Sequence, residues 1–298
     1  MMVWLYVAAA VISSGLASTF YKVAADRTVG KRASMAAPCF WYLPLAAVFG
    51  CVSLINDEWG SLSAVLPPAL LAGAAAAVCA VALLFSMRRS SYAFTVILVN
   101  CSFLFPILLS CLLLHEQTGW WQLLGMVIAV TAIVVLFAAP AKGRTPPLTV
   151  LITLAASLGN GLIDFAIKWQ QYRTPGASEN LFFFLNYLFA ALLCGIAGLL
   201  TKDDRPRKPS GTGKKNGPNI RFLLGALGIA ACNGICFFCI SRSAAALNAA
   251  AQFVIITALS IILSLAVGCV RFKARLGTRE WLGLLACAAA IAFQFLNL

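Results

Sequence analysis

Leu181 to Leu200 reads LFFFLNYLFAALLCGIAGLL, without one charge, and Thr201 to Asn219 continues as TKDDRPRKPSGTGKKNGPN, polar, basic and rich in Pro and Gly. The first stretch has the length a helix needs to cross a hydrocarbon core of about 30 Å. The second reads as a flexible linker beside it, with no nucleotide-binding motif. The same alternation runs along the whole 298-residue chain: apolar stretches extend from Val3 to Phe20, Met35 to Ile55, Val65 to Ser86, Ala93 to Leu114, Trp121 to Ala139, Leu148 to Ile167, Leu181 to Leu200, Phe222 to Ile240, Ala249 to Val270 and Trp281 to Phe295. They predict an all-α integral membrane protein with ten transmembrane helices. Hydrophobic residues make up 62% of the chain and charged ones 10%, which excludes a large soluble protein because its exterior could not be built from this composition.

Orientation follows from the basic residues, because short loops rich in Lys and Arg resist translocation. Of the 22 Lys and Arg, 19 fall in the odd-numbered loops, and the even loops hold only Lys168, Arg173 and Arg242. The odd loops are therefore expected in the cytoplasm, with both termini outside a bacterial plasma (inner) membrane. The net charge of +13 is a topology signal with an attraction to anionic lipid, and it does not imply nucleic acid. The first stretch lacks a basic leading region and a small-residue cleavage site, so it is kept as the first span. Trp4, Tyr6, Trp59, Trp120, Trp121, Trp169, Tyr172 and Trp281 gather near span boundaries, as interfacial anchors do.

The eleven cysteines lie almost entirely inside apolar stretches and read as small packing residues. Cys232, Cys236 and Cys239 share one helical face, but no His or carboxylate joins them on that span, so no metal site is expected. No cofactor is expected either.

Local matches recur in order along the two halves. Ser14, Gly15, Leu16, Ser18 and Lys22 align without gaps on Asn160, Gly161, Leu162, Asp164 and Lys168. Leu83 to Ser90 resembles Phe237 to Ala244, with Arg88 on Arg242, and Gly125 matches Gly283. Residues 1–140 and 141–298 thus read as two five-helix repeats, the second carrying the basic loop at about 201–221. Five is odd, so the repeats must insert with opposite orientation, the arrangement of secondary transporters with a site near the midplane.

Asn100 to Leu136, NCSFLFPILLSCLLLHEQTGWWQLLGMVIAVTAIVVL, carries a proline in the fourth span, Glu116 after it and a glycine in the fifth span. With ten spans in two halves, the chain resembles the ten-helix EamA-type branch of the drug/metabolite transporter superfamily. The second half departs from the pattern, since the position matching Glu116 is Ala274. The resemblance implies a cavity surrounded by the first, third, fourth, sixth, eighth and ninth helices. Many relatives are drawn with cytoplasmic termini; the charge distribution here argues the reverse.

Polar groups within apolar helices are costly unless they have work to do. Asp164 is the one carboxylate clearly inside a span, with Lys168 a turn later and Asn160 a turn earlier. Asp164 either binds a cationic substrate or exchanges a proton, or it forms a structural ion pair with Lys168 along the helix face. Ser18, Tyr21 and Lys22 occupy the equivalent end of the first span, where Lys22 neutralises an anionic group or snorkels to the interface. Asn100, Asn233 and Gln252 sit on expected cavity helices, as ligand contacts or interhelical bonds. Pro106 should kink the fourth helix and free a carbonyl. His115 and Glu116 form either a proton-coupling pair or a polar helix end at the water interface. Pro106, His115, Glu116 and Lys168 are accordingly the coupling or gating candidates.

No G-x-S-x-G, H-E-x-x-H or Walker A motif occurs and no second carboxylate lies near Asp164, so an enzyme is not expected. A channel would favour rings of like residues. The sequence reads as a gradient-driven secondary transporter of a small organic metabolite, such as an amino acid, nucleobase or similar neutral or zwitterionic solute, working by alternating access as a monomer or homodimer. An exporter of cationic drugs or other organic cations is the alternative, and a lipid flippase or a non-transporting scaffold a third.

Overall fold

A helix is the way an isolated apolar stretch satisfies its own backbone N–H and C=O groups away from water. In the structure, a computed structural model, every long apolar stretch that is described takes this form. It describes residues 2–28, 30–116, 119–137, 146–174, 178–202 and 220–272, with Trp281, Leu285 and Ala289. The helices are α1 (Met2–Arg27), α2 (Lys31–Ala36), α3 (Cys39–Ile55), α4 (Leu62–Arg89), α5 (Tyr92–Asn100), α6 (Leu104–Leu113), α7 (Trp120–Phe137), α8 (Pro147–Arg173), α9 (Glu179–Leu200), α10 (Ile220–Ala244) and α11 (Ala249–Phe272). Short 3₁₀ turns precede α4 (Glu58–Ser61) and join α5 to α6 (Cys101–Phe103).

Among the described residues, eight helical segments are long and apolar enough to cross a membrane. They are α1, α2 with α3, the first 3₁₀ turn with α4, α5 through α6, α8, α9, α10 and α11, and they correspond to the first four and the sixth to ninth expected spans. Of the fifth expected span, α7 covers the described part; the tenth lies outside the described residues except at Trp281, Leu285 and Ala289. Residues 203–219 of the basic loop also lie outside them, as do Ala274 and Gly283. The outer faces are apolar: Leu5, Val48, Leu112, Leu151 and Leu199 are all at least 60% exposed. Such side chains need lipid rather than water around them, and the chain is an all-α, multi-pass membrane protein.

The interior is built on small residues, as expected where van der Waals contact rather than water exclusion drives helices together. α4 is held between α8 and α9. A Cβ placed on Gly73 would lie 2.7 Å from the Asn186 carbonyl oxygen of α9, and one on Gly159 of α8 would lie 2.8 Å from the Ala75 carbonyl oxygen of α4. The most extensive contacts pair α1 with α10 and α4 with α8, and α3 packs on α9. There an aromatic layer fills the wider gap, with Tyr42 stacked on Tyr187 at 5.9 Å and Phe183 on Tyr187 at 6.1 Å.

The fourth span is broken where the sequence places its proline. Pro106 has no N–H to give the Ser102 carbonyl, and the chain winds as a 3₁₀ turn from Cys101 to Phe103 before α6 resumes. Gly161 of α8 fits against this break, since a Cβ there would meet the Ser102 carbonyl oxygen at 2.6 Å. The far end of α6 closes on His115, whose φ of 54° is left-handed, and the Glu116 N–H returns to the Ser110 carbonyl at 3.3 Å. The left-handed turn at His115 turns Glu116 back toward the bundle.

Candidate functional site

Between α1, α4, α5, α8, α10 and α11 the helices leave a cavity of about 90 Å³. These are the first, third, fourth, sixth, eighth and ninth spans. Ser18, Tyr21, Asn100, Asn160, Asp164 and Asn233 all line it. Lys22 and Gln252 do not. The Gln252 amide is buried at the end of α10, donating to the Ile240 carbonyl at 2.7 Å and to Ser243 Oγ at 2.8 Å.

Most polar groups around the cavity are already partly engaged. Asn233 Nδ2 donates to the Tyr21 hydroxyl at 2.9 Å, and Asn160 Nδ2 lies 2.8 Å from Ser102 Oγ, beside the helix break. Asn100 Nδ2 donates to the Val96 carbonyl at 2.7 Å. Ser18 Oγ turns back to the Ser14 carbonyl at 3.4 Å. Asp164 differs: it is 6% exposed, lines the cavity, and takes no hydrogen bond or ion pair among the described residues.

Of the two roles open to Asp164, the ion pair with Lys168 is not formed. Lys168 Nζ meets Glu116 Oε1 at 2.9 Å, the Ala244 carbonyl at 2.9 Å and the Leu247 carbonyl at 2.6 Å. An ammonium group has three N–H donors, and all three are used. Glu116 Oε2 in turn accepts from the Ala249 N–H at 3.1 Å, satisfying a free donor at the start of α11. The physical reason for the exchange is the turn at His115, which brings a carboxylate from another span to the exposed end of α8, while Asp164 faces inward a turn deeper. Glu116 therefore belongs to a largely buried cross-span pair, its side chain 15% exposed and that of Lys168 4%. His115 itself is not part of that pair.

Beside this pair lies an open pocket of about 380 Å³, lined by Glu116, Lys168, Gln171, Tyr172 and residues 244–248. Further bonds tie the same end together. Glu58 accepts from Ser178 Oγ, from Asn180 Nδ2 at 2.7 Å and from the Leu181 N–H at 3.3 Å, so it covers the start of α9. Arg242 pairs with Glu179 at 3.1 Å, and Gln171 Nε2 bridges Glu179 and Ser241. At the opposite end Lys22 Nζ donates to the Met87 carbonyl at 2.8 Å and pairs with Asp26 at 2.9 Å. Ser86, Ser90, Thr95 and Thr153 form a hydroxyl cluster beside it.

The residues that sequence reasoning missed are Thr257, Ser260 and Cys236, which also line the cavity. Ser260 is 1% exposed and its hydroxyl has no partner among the described residues. A hydroxyl on an otherwise apolar ninth span was the available signal, a weak one because serine usually bonds its own helix.

No family model matches the chain, and no curated protein matches it. A protein of solved structure, described only as "Crystal structure of protein", is similar to it at 17% identity, with a TM-score of 0.65 and coverage of 97% of both chains. That likeness concerns the fold.

Proposed function

We propose that this chain is a secondary carrier of the drug/metabolite transporter type, related to the ten-helix EamA branch, that moves a small organic metabolite across a bacterial plasma membrane. The observation that carries the reading is a small cavity with polar groups in its lining, formed by six spans, with a lysine bonded to a helix terminus toward each end of the bundle. A cavity of about 90 Å³ has room for about three waters, well below the several hundred Å³ of an open ligand pocket. Transport by this reading requires the cavity to widen and to open toward one end at a time.

Two inverted five-helix halves are part of the proposal. Exchanging the first span with the sixth and the third with the eighth turns the α1–α10 contact into the α8–α4 contact, and these are the two most extensive in the molecule. Lys22 reaches the Met87 carbonyl at the end of α4 as Lys168 reaches the Ala244 carbonyl at the end of α10. Four residues after each acceptor stands a helix cap: Ser91 accepts from the Phe94 N–H and Asn248 from the Ala251 N–H. Rocking of one half against the other would open the Lys22 end or the Lys168 end in turn. With no nucleotide-binding motif in the sequence, a solute or ion gradient supplies the energy. The charge bias supports placing the Lys22 end in the cytoplasm and the termini outside.

Solute counterflow in proteoliposomes tests the carrier reading. Saturable exchange of a water-soluble metabolite is expected. Lipid scrambling without solute exchange, or a conductance far above carrier turnover, would sink it.

A further inference from the structure

Resting on the carrier reading, we infer that the cavity selects a small organic amine bound as its monocation, with the ammonium N–H groups donated to Asp164 and Asn100. The argument is a count of what the lining leaves unused. Asn100 commits one N–H of its NH₂ to the Val96 carbonyl, and its oxygen, with no partner among the described residues, is left to accept from a guest. Asp164 presents a carboxylate with no partner among the described residues. Asn160 and Asn233 face hydroxyls, of Ser102 and Tyr21, which donate or accept equally well, and so adapt to either kind of guest. The amides and the Ser260 hydroxyl can serve either kind of guest, and Asp164 is the one group in the lining that, as a carboxylate, accepts only and carries charge.

Charge points the same way. Among the described residues no Lys, Arg or His lines the cavity. The nearest basic residue along α8, Lys168, has its three donors engaged elsewhere. A zwitterion would bring a carboxylate into a buried site that offers it no counter-charge, and an anion would face Asp164 directly; burying a charge unpaired is strongly unfavourable. A monocation removes that cost for Asp164. Tyr21, Phe237 and Phe253 line the cavity too and suit the apolar part of an amine. A quaternary ammonium has charge without N–H donors and leaves the acceptors of Asn100 and Asp164 unbonded.

The test uses the purified full-length protein in nanodiscs and five matched probes: propylamine, alanine, 1-propanol, propionate and tetramethylammonium. Thermal stabilisation and binding titration are read for the native chain, Asp164→Asn, Asp164→Glu and Asn100→Ala. Propylamine is expected to stabilise the native protein above the other four, because a ligand that prefers the folded state raises its stability. Its affinity should fall about ten- to a hundredfold in Asp164→Asn, fall less in Asn100→Ala, and be retained within about tenfold in Asp164→Glu, since a hydrogen bond to a charged group is worth about 1.5–3 kcal/mol. Should Asp164→Asn fail to fold, a loss in Asn100→Ala with retention in Asp164→Glu carries the same conclusion. Equal stabilisation of the native chain and these variants by propylamine, or preference for alanine or propanol, overturns the inference. Counterflow on the same preparation separates the two failures: exchange of another solute leaves the carrier reading standing, and exchange of none removes both.

Discussion

Lys22 and Lys168 lie near the ends of the first and sixth spans and bond the last carbonyls of the third and eighth, yet their surroundings differ. Lys168 has a side chain 4% exposed and takes its counter-charge from Glu116, a residue of another span that also covers the start of α11. Lys22 has a side chain 21% exposed and takes its counter-charge from Asp26, on its own helix and 51% exposed. A pair within one helix holds nothing together between helices. One that joins α8, the α6 end, α10 and α11 must break before those helices separate. The comparison teaches that the Lys168 end is tied together across several helices, and that at the Lys22 end the lysine adds a single carbonyl bond between helices, beside a hydroxyl cluster.

The largest expected effect follows from removing each lysine in turn. Lys168→Met leaves Glu116 without its counter-charge and two carbonyls without a donor, and should lower the unfolding free energy in mixed micelles by about 3 kcal/mol. Lys22→Met should cost about 0.5 kcal/mol, the scale of an exposed pair. Equal losses would break the comparison. A double-mutant cycle sharpens it: Glu116→Gln and Lys168→Met should couple by about 2 kcal/mol, and Asp164→Asn with Lys168→Met by less, because the first two residues share a bond and the second two do not.

What was legible in the sequence divides along the same line. Eight of the ten expected spans were, because lipid imposes length and apolarity residue by residue, and the break in the fourth span was, because a missing N–H acts at a fixed offset from Pro106. The polar lining was legible in part: Asn100, Asn160, Asp164 and Asn233 stood out against apolar neighbours, and Ser260 did not. The partner of Lys168 was not legible. Sequence spacing offers a helical lysine the residue a turn away, Asp164, and the actual partner is 52 positions earlier, aimed by a left-handed residue whose identity as histidine gives little sign of that conformation. The same kind of pairing accounts for two exceptions to the charge bias. Of the three basic residues in the even loops, Lys168 and Arg242 are held by Glu116 and Glu179. The aligned arginines also mark a register three residues away from the one that the caps at Ser91 and Asn248 follow, since matched carbonyls and caps depend on backbone position and leave little trace in side-chain identity.

His115 offers a smaller effect on the Lys168 end alone. Its φ of 54° is accessible to glycine without strain and unfavourable for a β-branched residue. His115→Gly should retain full stability, and His115→Val should lose about 1 kcal/mol and weaken the Glu116–Lys168 coupling measured by the cycle above. A valine variant with undiminished coupling would show that the turn does not aim Glu116.

Salt gives the smallest and most discriminating effect. At about 1 M ionic strength the Debye length falls to about 3 Å, so an exposed pair is screened and a buried one much less so. Asp26→Asn should therefore destabilise by no more than about 0.5 kcal/mol at low salt and by nothing measurable at high salt. Glu116→Gln should keep most of its cost at both, because Lys168 is shielded from solvent by α10 and the start of α11. If high salt relieved the Glu116→Gln defect as fully as that of Asp26→Asn, water would reach the Lys168 pair as freely as the Lys22 pair. The two ends would then be tied to the same degree, and the contrast between a cross-span pair and a pair within one helix would carry no energetic weight.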